Sequence, residues 1–84
     1  DLRGADDVEW TVSAGVECWT LGSSIAWERL DWSLYDATGR LVDRGQEAEG
    51  VQFVLDYPSV GGIYRLRLYD EASHQVISLI TPMD

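Results

Sequence analysis

The chain has 84 residues, 45% of them hydrophobic, and a formal net charge of −9; that is room for one domain with a modest core, and too apolar for intrinsic disorder. The acidity argues against non-specific binding to DNA or RNA, which needs a basic surface to displace counterions, and against docking on anionic lipid by charge alone. No apolar run is long enough to span a bilayer as a helix, and the N-terminus has neither the basic flank nor the apolar stretch of a signal peptide.

No apolar pattern of period 3.6 is sustained anywhere, whereas alternation of period two recurs between turn residues, which predicts strands. Val8, Trp10, Val12 and Ala14 alternate with polar residues and predict a first strand, interrupted at Gly15. Val16 to Leu21 predicts a second, followed by a Gly22-Ser23-Ser24 loop. Ala26 to Tyr35 predicts the longest strand, with Leu30, Trp32 and Leu34 on one face and Trp27, Arg29, Asp31, Ser33 and Tyr35 on the other. Asp36-Ala37-Thr38-Gly39 has the chemistry of a hairpin turn: the Asp side chain bonds downstream backbone, and Gly tolerates positive φ. Arg40 to Arg44 pairs back as a fourth strand, and Gly45 to Gly50 reads as a solvated connection. Val51, Phe53, Leu55 and Tyr57 alternate as a fifth strand, ended by the Tyr57 to Gly62 turn. Ile63 to Tyr69 is a sixth, with Tyr64, Leu66 and Leu68 inward and Ile63, Arg65, Arg67 and Tyr69 outward. Asp70 to Ser73 is a second polar turn, and His74 to Thr81 returns as the last strand before Pro82. Seven short strands between turns predict a single all-β domain over residues 1–84, an Ig-like antiparallel β-sandwich. Its expected core is Trp32, Leu34, Phe53, Leu55, Tyr64, Leu66 and Leu68. The last strand is apolar on both parities, so it is expected to be a half-exposed edge through which two copies could dimerise.

Few residues carry chemistry. Cys18 is the only cysteine, which excludes an intrachain disulfide and a four-cysteine zinc site; it reads as a small buried hydrophobe. His74, the only histidine, follows Ser73 with Asp70 and Glu71 nearby, but a flexible turn seldom supplies nucleophile, base and oxyanion hole together, so it reads as a solvated turn residue. The carboxylates Asp6, Asp7 and Glu9, and Glu47 with Glu49, lack calcium-loop spacing and read as solvated acidic edges. No metal, cofactor or catalytic residue is expected. Of the four tryptophans, Trp10 and Trp32 fall on core faces. Trp19 and Trp27 have two readings: exposed and stacking on sugar rings or a partner chain, or covering an open end of the sandwich.

Two blocks exceed generic patterning. Ser33-Leu34-Tyr35-Asp36-Ala37-Thr38-Gly39-Arg40-Leu41-Val42 is followed by Val60-Gly61-Gly62-Ile63-Tyr64-Arg65-Leu66-Arg67-Leu68-Tyr69-Asp70 and then Gln75-Val76-Ile77. In order and spacing, from about Trp32 to Ile80, these resemble the C-terminal sorting domain of the type IX secretion system of Bacteroidetes, with Tyr35, Asp36, Gly39, Arg40, Gly62 and Tyr64 at its motif positions. The resemblance implies a non-catalytic domain at the end of a larger protein, recognised by an outer-membrane translocon and delivered to the cell surface. It implies as partners the translocon or the surface processing machinery, and anionic lipopolysaccharide. The family's lysine-rich tail is missing here, which suits a surface component of the machinery that keeps its domain. The recognition residues expected on this reading are Arg65, Arg67, Tyr69, Gln75, Val76 and Ile77. A chain opening at Asp1 without methionine suits a piece of a longer protein. The alternative is an accessory Ig-like binding module of an extracellular bacterial protein, contacting carbohydrate.

Overall fold

The alternating segments all form strands, but they join differently from the expectation. The structure, a computed structural model, describes residues 8–71 and 73–82. These contain five strands, all antiparallel where they pair, and no helix: β1 (Trp10–Ala14), β2 (Cys18–Asp36), β3 (Leu41–Asp56), β4 (Ile63–Tyr69) and β5 (His74–Ile80). The acidic pair Asp6 and Asp7 lies outside the described residues.

The seven predicted segments become five strands because two predicted connections are themselves paired. Gly22 opposes Gln52 and Trp27 opposes Gly50, so Gly22 to Ser24 is part of β2 and Gly45 to Gly50 is part of β3. The residues that looked like loops are where this long hairpin bends. Five steps along β2, from Gly22 to Trp27, are matched by only two steps on β3, an irregularity that turns the strand sharply. The predicted start of the second strand also moves. Val16 is 94% exposed in a tight turn closed by the Gly15 amide on the Cys18 carbonyl, and β2 begins at Cys18.

The bend folds the hairpin back on itself. A straight strand advances about 3.3 Å per residue, so Leu21 and Trp32 would lie roughly 36 Å apart. Phe53 is the cross-strand partner of Leu21, yet its ring stacks 6.3 Å from that of Trp32. The two halves of one curled sheet therefore face each other. β3 covers one edge of β2. On the other edge β1 pairs with its first half and β4 with its second, and β5 lies beyond β4.

All seven expected core residues are buried, joined by Trp19, Leu21, Trp27, Leu30 and Leu79. An aromatic cluster fills the inside of the bend: Trp10 stacks on Trp27 at 5.7 Å, and Phe53 meets Trp10, Trp27 and Trp32. Such pairs contribute about 0.5–1.5 kcal/mol each beyond their buried area. The indoles lie on glycines of the facing strand. A Cβ on Gly45 would come within 2.7 Å of Trp32, and Gly50 lies against Trp27. Trp27 Nε1 donates to the Ala48 carbonyl at 2.7 Å, and Trp32 Nε1 to Glu47 at 3.2 Å, so neither buried N–H is orphaned.

Trp19 and Trp27 are 1% and 4% exposed, which removes them as stacking platforms for sugar. By sequence parity Trp27 falls outward with Arg29 and Tyr35. The alternation fails between Trp27 and Leu30, both buried with Glu28 and Arg29 exposed between them, so parity is not carried across the bend. Trp19 Nε1 reaches across the fold to the Ile80 carbonyl at 3.1 Å, tying the start of β2 to the end of β5. Cys18 is a free thiol and only half-buried.

Candidate recognition surface

The surface begins at the β2–β3 turn. Asp36 Oδ1 accepts from the Thr38 amide at 2.9 Å, the Thr38 hydroxyl at 2.7 Å and the Arg40 amide at 3.0 Å. The Gly39 amide closes on the Asp36 carbonyl with φ at +90°, a conformation that favours glycine. The Thr38 hydroxyl bond, then the Arg40 amide and the Arg40 charge, hold the Asp36 carboxyl below its ordinary pKa. The entry to β4 is built similarly. Gly62 has φ of +154°, its amide bonds the Thr81 hydroxyl at 2.8 Å, and the Tyr64 hydroxyl donates to the Val60 carbonyl.

Register then decides what shares a face. Tyr35, Arg65 and Ser78 lie side by side across β2, β4 and β5; so do Ser33, Arg67 and Val76, and so do Asp31, Tyr69 and His74. Their neighbours Leu34, Leu66, Leu68 and Leu79 are buried, so these three rows form the outer face. Tyr35, Asp36, Gly39, Arg65, Arg67 and Val76 line one open cleft of about 470 Å³ beside the turn. Residues from both sequence blocks thus meet on one surface.

Arg67 is held in place there. Its guanidinium carbon sits 5.5 Å from the centre of the Tyr35 ring, a cation–π distance, and its Nη1 is 3.4 Å from the Tyr69 hydroxyl. The hydrogen bond to Tyr69 pushes the Arg67 pKa further upward. Tyr69 is in turn stacked on His74 at 4.6 Å and 5°. The cross-strand neighbours of Arg65 and Arg67 are Tyr35, Ser78, Ser33 and Val76, none of them acidic, and neither arginine forms an ion pair among the described residues. On a chain of net charge −9, two cations without acidic partners on an aromatic face can take an anionic group from outside.

Not every expected recognition residue joins them. Gln75 and Ile77 have the opposite parity: Gln75 Nε2 donates to the Val8 carbonyl at 3.1 Å, and Ile77 packs against the core. Tyr64 is likewise buried, and Gly62 and Arg40 serve the two turns. By sequence Tyr35 is an outward motif position; that it lines the arginine cleft follows only from the pairing of β2 with β4. At the second turn the Ser73 hydroxyl bonds Asp70 rather than His74, whose ring is exposed and occupied by Tyr69. Among the described residues no three of His, Cys, Asp or Glu are grouped to hold a metal ion.

The chain matches no protein-family model and no curated protein sequence.

Proposed function

We propose that this chain is a non-catalytic recognition domain of the type IX sorting class, in which the folded sheet serves as an Ig-like sandwich and the receptor reads its outer arginine–tyrosine face. The observation that carries the reading is the meeting of Tyr35, Asp36 and Gly39 from the first block with Arg65 and Arg67 from the second at one cleft. Stability alone does not call for it: both arginines point outward, and neither fills core or pairs with a carboxylate among the described residues. The sandwich reading is supported by two facing halves over one core and by the bond from Tyr64 back to Val60, the kind of tyrosine corner that Ig-type domains use. On this reading the domain acts at the bacterial surface, after passage through the outer-membrane translocon. The partner there is the translocon or the surface machinery, with lipopolysaccharide as a further anionic contact.

Fusing the chain to the C-terminus of a secreted reporter tests the class. Surface display in a type IX-competent bacterium, lost in a strain without the translocon, is expected. Display that is absent from both strains, or equal in both, would replace this reading with that of an accessory extracellular module.

A further inference from the structure

Three strands have a free edge among the described residues, and they are guarded very unequally. β3 carries the charged residues Asp43, Arg44, Glu47 and Glu49, and β1 is only five residues long. Both are ordinary defences against unwanted strand pairing. β5, His-Gln-Val-Ile-Ser-Leu-Ile, has no Asp, Glu, Lys or Arg, no proline, and an unbroken register of seven pairs with β4.

The phase of its hydrogen bonds shows which groups are free. The Thr81 amide bonds the Gly62 carbonyl, and the Asp70 amide bonds the Ser73 carbonyl. Antiparallel alternation then directs the backbone of Leu79, Ile77 and Gln75 to β4, and that of Ile80, Ser78, Val76 and His74 outward. One independent contact agrees: the Ile80 carbonyl is the one that Trp19 caps. The amides and carbonyls of Val76 and Ser78 remain directed away from the sheet, on residues that are both exposed.

One strand in from this edge stand Arg65 and Arg67, beside Ser78 and Val76. The Arg67 side chain is committed to Tyr35 and Tyr69, whereas the side chain of Arg65 has no hydrogen bond or ion pair among the described residues. A strand added to β5 would lie about 9.6 Å from β4. Ser78 is small enough for the Arg65 side chain to lean over it, and a glutamate on the new strand would close the remaining gap. A second copy of this chain fits poorly: it would bring its own Arg65 and Arg67 to the same face and a further −9 of net charge.

We infer that the β5 edge is a docking site for an extended acidic peptide, which pairs its backbone with Val76 and Ser78 and presents a carboxylate to Arg65. The inference stands apart from the sorting reading, because it concerns what the isolated chain binds. The test uses the full chain and a fluorescent synthetic peptide alternating Glu with Val, with anisotropy as the readout. Binding is expected, at least tenfold weaker for the peptide with Gln in place of Glu. Arg65→Gln should abolish that preference. Ser78→Pro should abolish binding, since it removes an outward amide and leaves the β4 ladder intact. If Ser78→Pro fails to fold, N-methylating the peptide one edge at a time makes the same cut in the partner: methylation of the edge that faces β5 should abolish binding, and methylation of the other edge should spare it. Equal binding of the Glu and Gln peptides, or binding that survives N-methylation of each edge of the peptide in turn, would overturn the inference. So would a β5-mediated dimer of the chain that the peptide does not displace, which would assign the edge to a second copy.

Discussion

Replacing Gly45 with alanine tests the folded hairpin at its tightest point. The added Cβ would stand 2.7 Å from Trp32 Cζ2 and 2.9 Å from Cε2, whereas carbon atoms pack comfortably at about 3.5–4.0 Å. The ring is not free to retreat. It is buried, stacked on Phe53, and its Nε1 is bonded to Glu47. Forcing one methyl group into such a contact costs about 1–3 kcal/mol. Each kcal/mol lowers Tm by about 4–8 °C in a domain of this size. Urea denaturation followed by tryptophan fluorescence would measure the loss. The cost should largely vanish in a Trp32→Leu background, because the coupling between contacting sites is what a double-mutant cycle isolates. A Gly45→Ala protein within about 0.5 kcal/mol of the parent, the spread of ordinary surface changes, would mean that Trp32 does not lie on β3 and that the hairpin is not folded as described.

Truncating Leu66, which is fully buried, to alanine should cost about 2–5 kcal/mol in the same assay; a loss below about 1 kcal/mol would place β4 outside the core. Asp36 should contribute to acid sensitivity. Its folded pKa is depressed, so its stabilisation is complete above the unfolded carboxylate value of about 3.9 and is lost as pH falls through the folded value. Asp36→Ala should therefore be less stable at neutral pH, with a shallower acid limb than the parent; parallel profiles would show that the turn does not depend on the ionised carboxylate. Trp19→Phe removes the only indole bond to β5 and should speed amide exchange at the Ile80 end of that strand relative to β2; unchanged exchange at that end would show that the bond does not tie β5 down.

Much of the fold was legible because period-two patterning reports burial directly. Tyr64, Leu66 and Leu68 point inward as their alternation requires, and the Asp36 and Gly39 turn chemistry acts as its residue types demand. What was not legible came from glycine. Gly22, Gly45 and Gly50 look like loop residues to propensity, yet they are paired strand positions, and Gly45 is one because Trp32 leaves no room for a side chain. The pairing partners of a bend cannot be read from local sequence, so the inward turn of Trp27 was missed. The outer site was half legible. Arg65 and Arg67 were found by parity, but Tyr35 joins them through pairing between strands about thirty residues apart in sequence. Gln75 and Ile77 were grouped with the arginines by proximity in sequence, and the parity of β5 separates them.

The claim that a partner reads the outer face is tested most directly by changing Arg65 and Arg67 together to glutamine in the exported reporter fusion. Arg29→Gln is the control, removing positive charge at the bend, away from the arginine–tyrosine cleft. Because both arginines are exposed, circular dichroism should match the parent, and Tm should fall by no more than the loss of one exposed cation–π contact of about 0.5–1 kcal/mol allows. The account predicts loss of surface display for the Arg65 and Arg67 variant, with Arg29→Gln displayed normally. Full display of the doubly substituted, folded protein would contradict it.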